Sequence, residues 1–456
     1  MRGMKTSRAT GREVFSWCLY DFANSAFATT ILAVIFNRYY AGVIARGAEG
    51  VPITLFGTTH QVHGAALFNF VVTISMLVVA ITAPILGAWA DSRRAKKKFL
   101  SVYILIGVIS TGMLSTAGPG EWLWGGIWFI FANIAFAGGN VYYNAFLRDI
   151  ASPDEMGRVS GWGWGTGYLG GGLLLLINLV MLQKPEWLGF AAGSLNVHHT
   201  FLTVSVWWAL FSIPLLVNLH EPGEPLEKLT IAEQARQTFQ RLGTSFRHIR
   251  NYRQLWRFLI AYLFFNDGIE TVILMAAIFG DEVLGMGQGL LIGYFLLIQF
   301  TAFGGSLLFG RISSRFGNKS SLMATLVIWC GVVIAAYFIG WTGHPIKEYF
   351  VLGVVAGMVM GASQSLARAL QGTFTPVGHE AEFFGFFAVS GRFASLFGPL
   401  TYGAVVAVTG SLRLAILTLV VFFLLGIVLL MWVNEEEGRR SALGDSAENP
   451  SYLPED

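Results

Sequence analysis

The chain has 456 residues, of which 54% are hydrophobic and only 12% are charged. Soluble domains carry about 25% charged residues, so this composition argues against an ordinary soluble enzyme or binding module and indicates a membrane protein. The formal net charge of +3 is uninformative by itself. Its distribution along the chain matters more, because basic loops orient membrane spans.

Twelve apolar segments are long enough to cross a bilayer, at about 20 residues for each helical crossing. They begin near Val14, Gly64, Phe99, Glu121, Val159, Thr200, Trp256, Gly289, Ser320, Lys347, Phe383 and Leu412. The first run, Val14–Tyr40, is longer than the apolar region of a secretory signal peptide, so we interpret it as a span. The sequence therefore predicts an all-α polytopic membrane protein with about twelve transmembrane helices.

Basic residues concentrate in alternate loops. They precede the first span, follow the second, eighth and last spans, and fill the loop between the sixth and seventh. The positive-inside rule then places these loops and both termini in the cytoplasm, with the chain in the cell (inner or plasma) membrane. Basic clusters also bind nucleic acid, but between membrane spans the topological interpretation is favoured.

The first span carries polar residues on one face. Asp21, Asn24, Ser25 and Thr29 follow each other at three- and four-residue spacing, which aligns them on one side of a helix. An acid at the centre of a membrane helix costs roughly 2.5–3.5 kcal/mol on insertion scales. This face is therefore expected to meet a partner or a hydrated cavity.

A similar stretch recurs half a chain later, at a constant offset. Tyr262, Asn266 and Thr271 repeat the pattern of the first span, and the copy adds Asp267 and Glu270. One interpretation is a binding site at the midplane between two homologous halves. The other is a pair of buried polar clusters that hold helices together. Ionisable groups inside membranes favour the functional interpretation.

The string Leu19–Ile31 (LYDFANSAFATTI) and the string from Asn266 to Thr271 resemble the vacuolar-effluxer branch of the major facilitator superfamily, in a bacterial-type member. The resemblance covers essentially the whole chain. It implies the major facilitator fold, with two six-helix bundles, and secondary active transport of a small polar solute by alternating access. Fungal members are associated with amino-acid efflux from vacuoles, so it also implies an amino acid as a candidate solute.

The expected organisation has four parts. Residues 1–219 form an N-terminal six-helix bundle, and 220–255 form a cytoplasmic linker with a basic amphipathic helix. Residues 256–433 form the C-terminal six-helix bundle, and the acidic segment 434–456 is expected to be a disordered cytoplasmic tail.

The loops after the second and eighth spans resemble the loop signature of the superfamily. In the first, a glycine precedes an acid by four residues and basic residues follow; in the second, Ser314 replaces the acid. Glycine permits close helix approach, and Asp91 can accept hydrogen bonds from a neighbouring helix end. Two further arginines lie near predicted cytoplasmic helix ends, where a long basic side chain can extend its charged group to the membrane interface (snorkelling). The residues assigned to gating are Gly87, Asp91, Arg93, Arg94, Arg148, Gly310, Arg315 and Arg368.

The residues assigned to the cavity for substrate and coupling ion are Asp21, Asn24, Ser25, Asn140, Asn144, Asn266, Asp267, Glu270 and Arg392. Asp267 and Glu270 are three residues apart and are predicted to project to one side of the seventh helix. Two carboxylates that close disfavour double ionisation, so one can carry a proton. Arg392, inside the eleventh span, is the nearest candidate cation.

Enzymatic signatures are weak. Gly165-Thr-Gly167-Tyr-Leu-Gly170 satisfies the dinucleotide pattern, but that motif needs a preceding strand, and here close helix packing explains it better. His379-Glu380 does not extend to a metalloprotease motif, and the two cysteines form no cluster. We therefore expect no catalytic residues, metal or cofactor.

The expected partners are a small-molecule solute, membrane lipid and protons, without nucleic acid, for a chain that works as a monomer. A non-transporting receptor or scaffold on the same fold stays open as the alternative, because fold does not prove function.

Overall fold

A computed structural model describes residues 9–55, 57–222, 243 and 252–448. Within these residues it contains twelve helical spans that are long and apolar enough to cross a membrane. Each span begins within three residues of its predicted start. The predictions of twelve spans and of a helical membrane fold are confirmed, because hydrophobic length is a local property of the chain.

The first six spans are built from the following helices: α1 (Gly11–Ala26), a π-helical segment (Phe27–Val34), α2 (Phe36–Tyr39), a second π-helical segment (Tyr40–Ile44), α3 (Gly64–Arg93), α4 (Lys96–Met113), α5 (Trp122–Ala145), α6 (Leu147–Ile150), α7 (Met156–Gln183) and α8 (Val197–Asn218). Short 3-10 turns follow α4 (Leu114–Thr116) and α7 (Pro185–Leu188).

The other six spans consist of α9 (Arg253–Glu282), α10 (Gln288–Phe316), α11 (Asn318–Tyr337), α12 (Pro345–Phe374), α13 (Glu380–Phe393), α14 (Phe397–Thr409), α15 (Leu412–Thr418) and α16 (Val420–Met431). A final helix, α17 (Glu435–Glu448), follows the twelfth span. One end of the bundle is the end at which α1, α4, α7, α9, α11 and α13 begin. We call it the terminal end.

A β-hairpin lies in the loop between the first and second spans. Strands β1 (Val51–Leu55) and β2 (Thr58–Val62) are antiparallel, with Val51 opposite Val62 and Leu55 opposite Thr58. This hairpin is not predicted from the sequence. Five-residue strands are too short to leave a clear periodicity in a single sequence.

Two spans are less regular than their hydrophobic pattern suggests. The first widens into π-helical turns after Ala26, and the eleventh is interrupted between Phe393 and Phe397. An interruption inside a membrane span needs other groups to satisfy the freed backbone donors. The eleventh span obtains them from a neighbouring helix, as described below.

The internal repeat is visible in two helix caps. The carboxylate of Glu221, after the sixth span, accepts hydrogen bonds from the backbone N–H groups of Lys96 (2.6 Å) and Lys97 (3.0 Å) at the start of α4. The carboxylate of Glu435, after the twelfth span, accepts them from Asn318 (3.2 Å) and Lys319 (3.0 Å) at the start of α11. A carboxylate at a helix N-terminus satisfies free donors and complements the helix dipole.

The prediction of a disordered tail over 434–456 is wrong for its first part, which forms α17. The Asn434 side chain accepts a hydrogen bond from the N–H of Glu437, Ala442 is buried, and Arg439 pairs with Asp154 at 2.8 Å. A cap, an apolar contact and an ion pair together explain the order of an acidic segment. Residues 449–456 lie outside the described part of the chain.

The linker prediction is not tested, because most of 220–255, including the predicted amphipathic helix, lies outside the described residues. The boundaries at 219, 255 and 433 stay predictions.

Candidate functional site

A central cavity of about 430 Å³ lies between helices of the two halves. Its wall is formed by the first, fourth and fifth spans on one side and by the seventh to eleventh spans on the other. Asp21, Asn24, Ser25 and Thr29 all line it. The polar face of the first span thus meets a cavity instead of lipid.

Seven of the nine residues assigned to the cavity line it. They are Asp21, Asn24, Ser25, Asn140, Asn144, Glu270 and Arg392. Asn24 donates a hydrogen bond from its side-chain amide to the Asn140 side-chain oxygen at 2.7 Å, which ties the first span to the fourth. Tyr168, which also lines the cavity, donates a hydrogen bond to the side-chain oxygen of Gln364 across the two halves.

Asp267 and Asn266 are the two exceptions, and both are buried in helix packing. The backbone N–H of Gly398 donates to both carboxylate oxygens of Asp267 at 2.9 Å. Asp267 therefore caps α14, where the interruption of the eleventh span leaves N–H groups free. The prediction that Asp267 lines the cavity together with Glu270 is wrong, because only Glu270 reaches it.

Arg368 is the cavity residue that the sequence analysis assigns elsewhere. The prediction of a snorkelling arginine near a helix end is wrong, since Arg368 lines the cavity and is 2% exposed. Its Nη1 donates to Asp21 Oδ2 at 2.9 Å and to Asn144 Oδ1 at 3.1 Å. Its Nε and Nη2 donate to the side chain and carbonyl of Ser160, both at 2.9 Å. One arginine from the tenth span thus binds three spans of the other half.

Aromatic rings complete the surroundings of this guanidinium. The centroids of Trp17, Trp164 and Tyr143 lie 4.8, 5.3 and 5.5 Å from its central carbon. Ring faces attract a cation most strongly where water is excluded. The chain carries one signal that could have identified this site: Arg368 is the only charged residue in the sequence from Tyr349 to Phe374.

At the terminal end, Asp91 holds the second span to the eleventh. Its carboxylate accepts hydrogen bonds from the backbone N–H groups of Ala381 (3.0 Å) and Glu382 (2.8 Å), at the start of α13. A Cβ on Gly87 would lie only 2.4 Å from the Ala381 carbonyl oxygen, so glycine is needed for this approach. This is the arrangement expected for the loop signature.

Lys96, which the sequence analysis treats only as part of a basic loop, is buried beside this contact. Its Nζ lies 2.7 Å from the Asp149 carboxylate and 3.3 Å from that of Glu380. All three side chains are 10% exposed or less. Because Glu380 belongs to the second half, this cluster also joins the halves. Sequence reasoning misses it because its members come from three helices that lie far apart in the chain.

The gating residues of the second half make different contacts. A Cβ on Gly310 would lie 3.0 Å from the Gly157 carbonyl oxygen, so α10 and α7 are closely packed. Among the described residues, Ser314 donates to the Gly310 carbonyl of its own helix, at 3.4 Å, and to no other group. Arg315 is exposed, and within the described residues it forms no ion pair.

The remaining arginines assigned to gating lie at the same end. Arg148 donates from Nη1 to the Gly372 carbonyl at 3.3 Å, again across the halves. Arg93 is the last residue of α3. Arg94, which follows it as the C-cap, has a left-handed backbone conformation with φ of 48°. The contacts of Arg148, Asp91 and Lys96 together join the two halves at the terminal end.

The chain matches the family described as "Vacuole effluxer Atg22 like" over residues 9–443. It is 32% identical over 423 residues to the uncharacterized MFS-type transporter YxiO of Bacillus subtilis (strain 168), covering 92% of this chain and 94% of YxiO. It is 24% identical to autophagy-related protein 22-1 of Penicillium rubens, covering 88% and 80% of the two chains.

Solved structures agree on the fold. The human organic anion transporter MFSD10 superposes with a TM-score of 0.66 at 16% identity, covering 92% of this chain and 99% of its own. The transporter FucP, in its outward conformation, superposes with a TM-score of 0.67 at 12% identity, covering 92% and 98%. From the family match, the fold and the cavity together, the chain belongs to the Atg22-like vacuole effluxer family and is a multi-pass transport protein of the major facilitator superfamily, not an enzyme.

Proposed function

We propose that this protein is a proton-coupled secondary transporter of a small polar solute, with an amino acid as the first candidate. It works as a monomer by alternating access in the cell membrane, with both termini in the cytoplasm. The observation that carries the proposal is the buried ion pair between Asp21 and Arg368 on the wall of the central cavity. Its two members belong to different halves of the chain.

Opening the terminal end requires the tenth span to move away from the first. Arg368 then leaves Asp21, and each charge is uncompensated in a largely apolar site, where removal of one partner of a buried pair costs about 3–5 kcal/mol. A proton or a cation has to replace Arg368 at Asp21, and an anion has to replace Asp21 at Arg368. A zwitterion such as an amino acid supplies both charges.

Glu270 is the candidate for the coupling proton. It lines the cavity with Arg392, and the two charges attract each other. No salt bridge within 4.0 Å joins them in the described part of the chain. Because Asp267 is occupied by α14, Glu270 is the acid of the seventh span that faces the solute.

Flux measurements on purified, monodisperse protein in proteoliposomes test the proposal, with a panel of radiolabelled amino acids as solutes. We expect Glu270→Gln to abolish accumulation driven by a pH gradient while solute exchange continues. Arg392→Lys should be milder than Arg392→Ala, which leaves a buried acid without a cation. If these polar residues only hold helices together, the variants should instead lose both modes of transport and unfold more easily.

Intact pH-driven accumulation in Glu270→Gln would contradict the role of that residue. Absence of flux for every solute in the wild-type protein, under every gradient, would favour the receptor or scaffold alternative over transport.

The orientation is tested separately with single cysteines in a chain whose two native cysteines are replaced. Ala192→Cys lies in an exposed loop at the end opposite the terminal end, and Gly444→Cys lies on the exposed side of α17. An impermeant thiol reagent on intact cells should label Ala192→Cys and not Gly444→Cys. The reverse pattern would place the termini outside.

A further inference from the structure

A second cavity, of about 680 Å³, lies at the terminal end. The first half contributes the start of α1, the loop from α6 to α7 and the first turns of α7 to its wall. The second half contributes α10, the loop before α13, and α17. Among the described residues it shares no lining residue with the central cavity.

Its polar wall is basic. Arg148, Arg158 and Arg311 all line it. Arg311 is exposed and has no ion pair among the described residues. Within the described residues Arg158 forms one ion pair, a surface pair with Glu155 at 3.0 Å, and pairs of that kind are weak. The Nε of Arg148 is buried without a hydrogen-bond partner in the described structure.

The acids of this wall do not cancel that charge. Asp149 shares the cation Lys96 with Glu380, at 2.7 and 3.3 Å, and Glu155 pairs with Arg158. With Lys96 added to the three arginines, four cations meet these three carboxylates, which leaves one positive charge. The cavity therefore suits a ligand with at least one negative charge and several acceptor oxygens. Phosphate groups have this chemistry, and arginine binds them with paired donors.

The other wall of the cavity is apolar and continues to the outer surface of the bundle. Val14, Val159 and Trp162 line it. Trp162 is 44% exposed, and Phe15, beside Val14, is 63% exposed. Tryptophan is enriched where membrane proteins cross the interface of the bilayer. A ligand that uses both walls has a charged head and an apolar body.

We propose that this cavity binds the phosphate headgroup of an anionic phospholipid, with its acyl chains along Val14, Trp162 and Phe15. Arg158 belongs to the first half and Arg311 to the second, where α7 and α10 are closely packed: a Cβ on Gly310, the neighbour of Arg311, would lie 3.5 Å from the Cα of Arg158. A phosphate held by both arginines bridges the halves. The lipid therefore stabilises the closed terminal end.

The test uses the full chain, purified in detergent, and native mass spectrometry with phosphatidylglycerol or phosphatidylcholine of identical acyl chains. We expect the wild type to retain phosphatidylglycerol preferentially. Arg158→Ala/Arg311→Ala should weaken that retention about 25-fold, because each basic side chain near an anionic lipid contributes about fivefold. Arg158→Lys/Arg311→Lys, which keeps both charges, should retain most of it.

The matched control is Lys98→Ala/Arg440→Ala, which removes two exposed cations from the same end without touching the cavity wall. It should leave lipid retention unchanged. Because both pairs of residues are at exposed positions, their replacement should leave folding unchanged. Thermal unfolding of each variant checks this.

Three results would overturn the proposal. The first is equal retention by the wild type and Arg158→Ala/Arg311→Ala. The second is equal binding of phosphatidylcholine and phosphatidylglycerol by the wild type. The third is an increase in the unfolding temperature with inorganic phosphate or glycerol phosphate as large as that with phosphatidylglycerol, since this would identify a site for soluble anions instead of lipid.

Discussion

The loops after the second and eighth spans occupy equivalent positions in the two halves, yet they hold the halves together by different means. In the first, Asp91 caps α13 with a charged side chain. In the second, Ser314 turns back to its own helix, and the contact is made by close backbone packing at Gly310. A related sequence position therefore does not guarantee a related contact.

The difference is confined to contacts between the halves. Within each half the repeat is maintained, as the caps of Glu221 on α4 and Glu435 on α11 show. Each half has to fold in the same way, but the two surfaces that meet at the terminal end need only be complementary. Four predictions test this comparison. The readout is either thermal unfolding or the distance between spin labels at the exposed positions Lys98→Cys and Arg440→Cys, one in each half.

The largest effect is expected from Lys96→Ala, which leaves Asp149 and Glu380 buried without their cation. Removal of one member of a buried ion pair costs about 3–5 kcal/mol. The label-to-label distance should therefore lengthen, as the closed terminal end loses population. Lys97→Ala is the control, since in the described structure the Lys97 side chain donates to the Leu219 carbonyl, within its own half, and forms no ion pair. Similar distances in both variants would contradict a special role for Lys96.

Asp91→Asn should have the next largest effect. It removes the charge that accepts two backbone hydrogen bonds, and such charge-assisted bonds contribute about 1.5–3 kcal/mol. Ser314→Ala should change the closed population by less than about 0.5 kcal/mol, as surface substitutions do. Measurement of the distance distribution in both variants decides the asymmetry. Equal shifts would mean that the two loops share one function.

Substitution of the glycines should show the same asymmetry, with a larger effect in the first loop than in the second. A Cβ on Gly87 would meet a backbone oxygen at 2.4 Å, whereas one on Gly310 would meet a backbone oxygen at 3.0 Å. Gly87→Ala should therefore open the terminal end by about 1–3 kcal/mol, typical of overpacking, and Gly310→Ala by less. A larger effect of Gly310→Ala would indicate that close packing of α7 and α10 is the main lock.

The smallest effects are expected from Glu221→Gln and Glu435→Gln, which weaken caps inside each half. Loss of a helix cap costs about 0.5–2 kcal/mol, and the two values should agree because the caps are equivalent. Thermal unfolding of each purified variant measures them, and the label distance should stay unchanged. Clearly different losses in the free energy of unfolding would show that the two caps have equivalent structures but unequal effects on stability.

Local patterns in the sequence were enough for the number of spans, their starts and the polar face of the first helix. Hydrophobic length and helical periodicity are properties of neighbouring residues, so Asp21, Asn24, Ser25 and Thr29 could be assigned to one face without a structure. The acceptor role of Asp91 was expected from the resemblance of its loop to the signature of the superfamily, and not from periodicity.

Only the tertiary structure decided which charges meet. Asp21 and Arg368 are 347 positions apart, and no periodicity relates residues on different halves. Asp267 left the predicted cavity because the eleventh span unwinds between Phe393 and Phe397 and offers its free N–H groups as partners. Buried charges and free backbone donors are satisfied by whichever groups packing brings near, and that packing is a property of the whole chain.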